Sequence, residues 1–164
     1  MSAQSILNAM EKQLKLHQSL YDLAQKKTEI IKKGDMPALN KIMIHEQNHV
    51  KAIGMLEKER EVAVNTFLLG QAPGTERTLA ECIRVAGPEE RESLQALKVR
   101  LTDLILKLKD ANYLNQQLIY QSLQFINLSL DMVRPKQQNF NYEKPVQQKG
   151  QKPAGSRSYF NSRA

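Results

Sequence analysis

One periodicity constrains this chain more than any other feature. From Leu94 onward, residues recur at alternating steps of three and four: Leu94, Leu97, Leu101, Leu104, Leu108, Ala111, Asn115, Leu118, Ser122, Phe125, Ser129 and Met132. That rhythm is a heptad seam, the mark of a helix packed lengthwise against another helix. It predicts a helix over about 88–133. Pro88 opens it, where a missing N–H does no harm, and Glu89 and Glu90 place negative charge in the first turn. At 1.5 Å per residue such a helix is about 69 Å long.

Two further long helices precede it. Leu7, Met10, Leu14, His17, Tyr21, Ala24, Thr28 and Ile31 keep the same rhythm over about 3–33, with Leu16, Leu20, Leu23 and Ile30 widening the apolar face. Gly34 then supplies a helix-ending residue, Asp35 a cap and Pro37 a first-turn proline, so GDMP is a stop-and-restart signal. The next helix runs over about 36–69 on the seam Leu39, Ile42, Glu46, His49 or Val50, Ile53, Leu56 or Glu57, Arg60, Val64 and Phe67. So short a turn between two such helices favours an antiparallel hairpin. GQAPGT makes a loop, and Thr75 is the expected cap of a short helix over about 76–86. The fold class is therefore all-α: an antiparallel helical bundle or coiled coil, one domain over 1–133, with a long C-terminal helix.

That last helix should outreach its neighbours, which at their lengths span only about 50 Å. Its final third is also apolar on several faces: Leu118, Ile119, Tyr120, Leu123, Phe125, Ile126, Leu128, Leu130, Met132 and Val133. A helix of that kind has to be buried by something, either a fold-back of the chain or another chain.

Charge separates the body from the tail. The net charge of +7 looks like a polyanion-binding signature, yet residues 134–164 carry seven basic residues against one acid and so hold +6 of it. The body is balanced, without the basic stripe that specific nucleic-acid recognition needs. The tail is rich in Pro, Gln and Asn and is expected to be disordered, though it holds four of the nine aromatics: Phe140, Tyr142, Tyr159 and Phe160. The chain's start shows no signal-peptide pattern, and no stretch is apolar enough for membrane insertion. The single cysteine, Cys82, excludes an internal disulfide and fits a reducing, cytoplasmic setting.

Only one pattern suggests catalysis. His45-Glu46-Gln47-Asn48-His49 has the spacing of a zinc-protease helix, with two imidazoles one turn apart and a carboxylate base. The other histidine is His17, on the first helix, no strand is foreseen to hold a substrate, and Glu46 falls on the seam. The motif reads as helix surface. Glu46, Glu57 and Arg60 read as polar seam residues, paired with one another or with the first helix. Cys82 reads as a small hydrophobe. No enzymatic activity, metal or cofactor is expected.

With these residues set out, the chain resembles the FlgN family of bacterial flagellar export chaperones. LAQKKTEIIKKGDMPALNKIMIHEQ followed by IGMLEKERE is similar to the family pattern, through Leu23, Lys26 or Lys27, Gly34, Asp35, Leu39, Glu46 and Arg60. LKLKDANYLNQQLIYQSLQFI is similar in placing Asn112, Asn115 and Leu118 before a hydrophobic helix, and SRSYFNSRA looks like the short aromatic, basic C-terminus of some members. The resemblance implies a cytoplasmic, non-enzymatic chaperone without cofactor. It would bind the C-terminal segments of the hook–filament junction proteins FlgK and FlgL, largely through its C-terminal part, and pass them to the flagellar type III export apparatus. A client docked as a helix against the end of the long helix would use Asn115, Leu118, Ile119, Ser122, Leu123, Phe125, Ile126 and Leu130 as anchors. The competing expectation is a homodimeric coiled-coil adaptor that covers the same surface with a second copy.

Overall fold

The computed structural model describes residues 2–134 and contains four helices: α1 (Gln4–Lys33), α2 (Met36–Gln71), α3 (Leu79–Val85) and α4 (Pro88–Val133). Among the described residues there is no strand. The tail expected to be disordered lies outside them from residue 135 onward.

The junctions follow local chemistry. Gly34 ends α1 at φ 69°, and its N–H and that of Asp35 reach back to Ile31 and Ile30. The Asp35 carboxylate then accepts from the Ala38 N–H at 3.0 Å and starts α2, with Pro37 in the first turn. The short helix begins later than expected. Thr78, not Thr75, caps it, accepting from the Glu81 N–H at 3.2 Å. Thr75 instead donates its hydroxyl to the Ala72 carbonyl at 2.9 Å, which holds the loop and removes it as a cap. Arg91 ties α3 to α4 by donating to the carbonyls of Ile83, Arg84 and Ala86, the acceptors that the end of a helix leaves open. α4 runs unbroken through Asn112 and Asn115.

α1 is the central helix. α2 packs on it antiparallel: Gln13 meets Glu57, Ser19 meets His49 and Lys27 meets Glu46. α4 packs on it parallel and in a fixed register. Ala3 donates its N–H to Glu90 at one end, Thr28 meets Asn115 at the other, and both pairs are 87 residues apart. The two heptad seams differ by the same 87, so Leu7, Met10, Ala24 and Ile31 take the rank of Leu94, Leu97, Ala111 and Leu118. α2 and α4 do not pack on each other; α3 bridges them at one end. There Cys82, wholly buried, sits in the main core with Ile6, Met10, Phe67, Leu68 and Leu94. A second, smaller cluster joins Leu20, Ala24 and Leu108 further along.

The two interfaces of α1 differ in chemistry. Towards α4 it is largely apolar, with Glu90 accepting from the Ala3 N–H at one end and Thr28 meeting Asn115 at the other. Towards α2 its middle is polar. Lys27 and Glu46 form a mostly buried ion pair at 2.8 Å, and Gln13 donates to Glu57 at 2.7 Å. Arg60 grips Glu57 through Nε and Nη2. The seam alternative at 49–50 resolves to His49, since Val50 is exposed.

Candidate functional site

The offset of 87 decides what α4 leaves open. Lys33, the last residue of α1, stands level with residue 120. The next α4 seam position, Ser122, stands level with Asp35, in the turn. Four seam positions therefore lie beyond α1: Ser122, Phe125, Ser129 and Met132. The residues from 120 to the end of α4 are exposed on every side, over about 20 Å of helix. Phe125 is 71% exposed and Met132 86%.

The face is more ordered than an all-round apolar helix. At 100° per residue, Gln117, Gln121, Gln124 and Asp131 fall on one side, with exposed Leu128 among them and Tyr120 at the edge. Leu118, Ile119, Ser122, Leu123, Phe125, Ile126, Leu130 and Val133 fall on the broad side that, further back, packs against α1. The serines form shallow notches in it. Ser122 donates to the Leu118 carbonyl at 2.8 Å and Ser129 to the Phe125 carbonyl at 2.9 Å, so each hydroxyl is turned back into its own helix. What remains is an apolar strip with two gaps between larger side chains.

The eight residues expected as anchors separate on this geometry. Ser122, Leu123, Phe125, Ile126 and Leu130 are exposed on the free strip. Leu118 and Ile119 are half-buried at its root, where α1 ends. Asn115 does not belong to it and is a correction. It is 2% exposed, its amide donates to the Ala24 carbonyl at 2.8 Å, and its Oδ1 lies 2.5 Å from the Thr28 hydroxyl. Both ends of the side chain are used by α1, so a docking segment finds neither. Met132 and Val133 were not foreseen as anchors, although Met132 continues the same rhythm and both are freely exposed.

The zinc-like motif is committed elsewhere. Nδ1 of His49 lies 2.8 Å from the His45 carbonyl, which can only accept, so Nδ1 carries the proton. Nε2 then accepts from the Ser19 hydroxyl, also at 2.8 Å, and its lone pair is occupied. Glu46 holds Lys27. Among the described residues, no group of His, Cys, Asp and Glu is arranged to hold a metal ion. Burial raises the Cys82 thiol above its ordinary 9.0, although nearby Arg60 pulls the other way, which keeps the thiol protonated and poorly nucleophilic. Among the described residues, no helix is long and apolar enough to cross a membrane.

The fold and this strip together define an all-α protein that holds a helix-length apolar face open beyond its own core. Residues 1–150 match the family model described as FlgN protein, and the chain belongs to the FlgN family. That membership supports a role of the flagellar export chaperone type. The chain is also 34% identical, over the whole length of both, to a protein of Bacillus subtilis (strain 168) described as uncharacterized protein YvyG. No solved structure matches the chain.

Proposed function

We propose that this protein binds the C-terminal segments of the hook–filament junction proteins FlgK and FlgL and holds them in the cytoplasm until they reach the flagellar export apparatus. One observation carries the reading: the α4 seam continues four positions past the last seam residue of α1. A client helix laid there takes up the line of α1 and presents to α4 the kind of face that α1 presents further back. Its anchors would fill the strip at i, i+3, i+4 and i+7. Binding of this sort hides the client's apolar assembly surface and asks no chemistry of the chaperone.

Calorimetric titration with the C-terminal segment of a junction protein from the same cell tests this. Submicromolar binding with a negative heat-capacity change is expected, the latter because apolar surface is buried. No binding, together with a concentration-dependent dimer, would replace the reading with a homodimeric coiled-coil adaptor.

A further inference from the structure

We propose that Ser122 and Ser129 decide which helix the free strip of α4 accepts: an amphipathic segment whose docking face is uncharged and carries two large apolar side chains seven residues apart, one for each serine. The inference rests on the reading of the strip as a client-docking face, and it names the chemistry of that client.

The first argument is shape. Ser122 and Ser129 run down the middle of the strip, about 20° apart around the helix. Phe125 and Met132 lie about 60–80° to one side, and Ile126 and Ile119 about 40–60° to the other. The strip is thus a trough with two low points about 10.5 Å apart along the axis, the spacing of side chains seven apart on a second helix. Each serine hydroxyl donates to a carbonyl of its own helix, at 2.8 Å and 2.9 Å. An apolar group laid over either serine therefore strands no polar atom.

The second argument is a change of size along one column. Every seventh residue from Leu94 reads Leu94, Leu101, Leu108, Asn115, Ser122 and Ser129. At the first four ranks α1 offers Leu7, Leu14, Tyr21 and Thr28. The small residues begin where α1 stops. The free strip continues the interface between α1 and α4, so a helix that takes up the line of α1 closes it only with bulky side chains at these two ranks. A small residue there would leave a void and forfeit the contacts of its lining.

The third argument is charge. Residues 111–130 contain no Asp, Glu, Lys, Arg or His. A charged group on the docking face would be buried there without a counter-ion. The client is held by fit and apolar burial.

Calorimetric titration of the full chain with a junction-protein C-terminal segment tests the fit. Ser122→Leu with Ser129→Leu fills both low points on an exposed face and should weaken binding by about tenfold, as overpacking does. Ser122→Ala with Ser129→Ala leaves them open and should keep affinity within about twofold. Replacing the matching pair of large apolar residues in the segment with Ala should reverse the preference, so that the Leu variant binds it more tightly than the parent chain. Parent affinity should be the same in about 0.1 M and 0.5 M NaCl. Equal or tighter binding of the unaltered segment by the Leu variant, as a featureless apolar face would give, would overturn the proposal and leave the client reading standing. So would a weakening that no pair seven apart reverses, which self-association of the variant would produce, or affinity lost in about 0.5 M NaCl. No binding by the parent chain would overturn the client reading and this proposal with it.

Discussion

The Thr28 hydroxyl donates to Asn115 Oδ1 at 2.5 Å, while the Asn115 amide donates to the Ala24 carbonyl at 2.8 Å. This is a closed polar contact inside a largely apolar seam. It forms only when α1 and α4 are aligned at their observed offset; a slip of one turn would leave the buried Asn115 amide without its partners on α1, while the Thr28 hydroxyl would keep only the Ala24 carbonyl of its own helix. A polar residue at a seam position commonly fixes register in this way. Because register decides where α1 stops along α4, this contact also sets how much of α4 remains free. Asn115→Ala should therefore lower stability by about 1–3 kcal/mol, the cost of leaving buried partners unmatched. Urea unfolding followed by circular dichroism measures it. A loss within a few tenths of a kcal/mol would show that the contact does not hold the register.

The free strip should behave in the opposite sense. Leu123 and Ile126 are exposed, and Ile119 is half-buried at the root. Replacing all three with Glu removes apolar anchors at i, i+4 and i+7 while removing little from the core. Client binding should be lost and the helical circular dichroism signal kept. Retained affinity in this triple variant would place the client elsewhere on the protein.

Much of this arrangement was legible in the residues. The four helices, the GDMP junction and the overreach of the last helix follow from period and turn chemistry, and both long seams can be read directly. Periodicity names a face but not the helix that covers it. The parallel pairing of α1 with α4 was thus not readable, and Asn115 could equally be an anchor or a lock. Only the position of Thr28 opposite it decides. The start of α3 failed for a similar reason. Thr75 and Thr78 are both competent caps, and Thr75 is removed from the role by the Ala72 carbonyl.

The α1–α2 interface should carry an acid-sensitive component. Its hydrogen bonds from Arg60 hold Glu57 below its ordinary value of 4.5; partial burial opposes them, and Gln13 adds a further bond on the same side. A carboxylate whose value is depressed by folding contributes stability that is fully present above its unfolded value. That contribution disappears as pH falls through the depressed one. Glu57→Gln should accordingly lower the melting temperature at pH 7, and the gap to the parent chain should narrow as pH falls below about 4.5. A gap independent of pH would mean that the bonds from Arg60 and Gln13 do not depend on the charge.

Cys82 should be silent in the folded protein. The residue is fully buried in the main core, and its thiol is raised above 9.0. Thiol labelling at neutral pH should then be far slower than in the urea-unfolded chain, because the thiol reacts only when α3 detaches or the chain unfolds. A rate close to that of the unfolded chain at the same reagent concentration would show that α3 leaves the thiol accessible.

Two glycines should respond in opposite directions to the same substitution. Gly34 sits at φ 69° with open space around the position of a Cβ, so a side chain there meets backbone strain alone. Gly34→Ala should cost about 1–2 kcal/mol, the penalty for a left-handed L-residue. Gly54 lies inside α2, also with nothing within 4 Å of an added Cβ. There the methyl group meets no neighbour, and the unfolded chain loses freedom that the helix never used. Gly54→Ala should raise stability by about 0.5–1 kcal/mol. Urea unfolding of the two variants beside the parent chain measures both. Destabilisation at Gly54 would mean that something packs on that face of α2, and a concentration-dependent midpoint would identify it as a second copy.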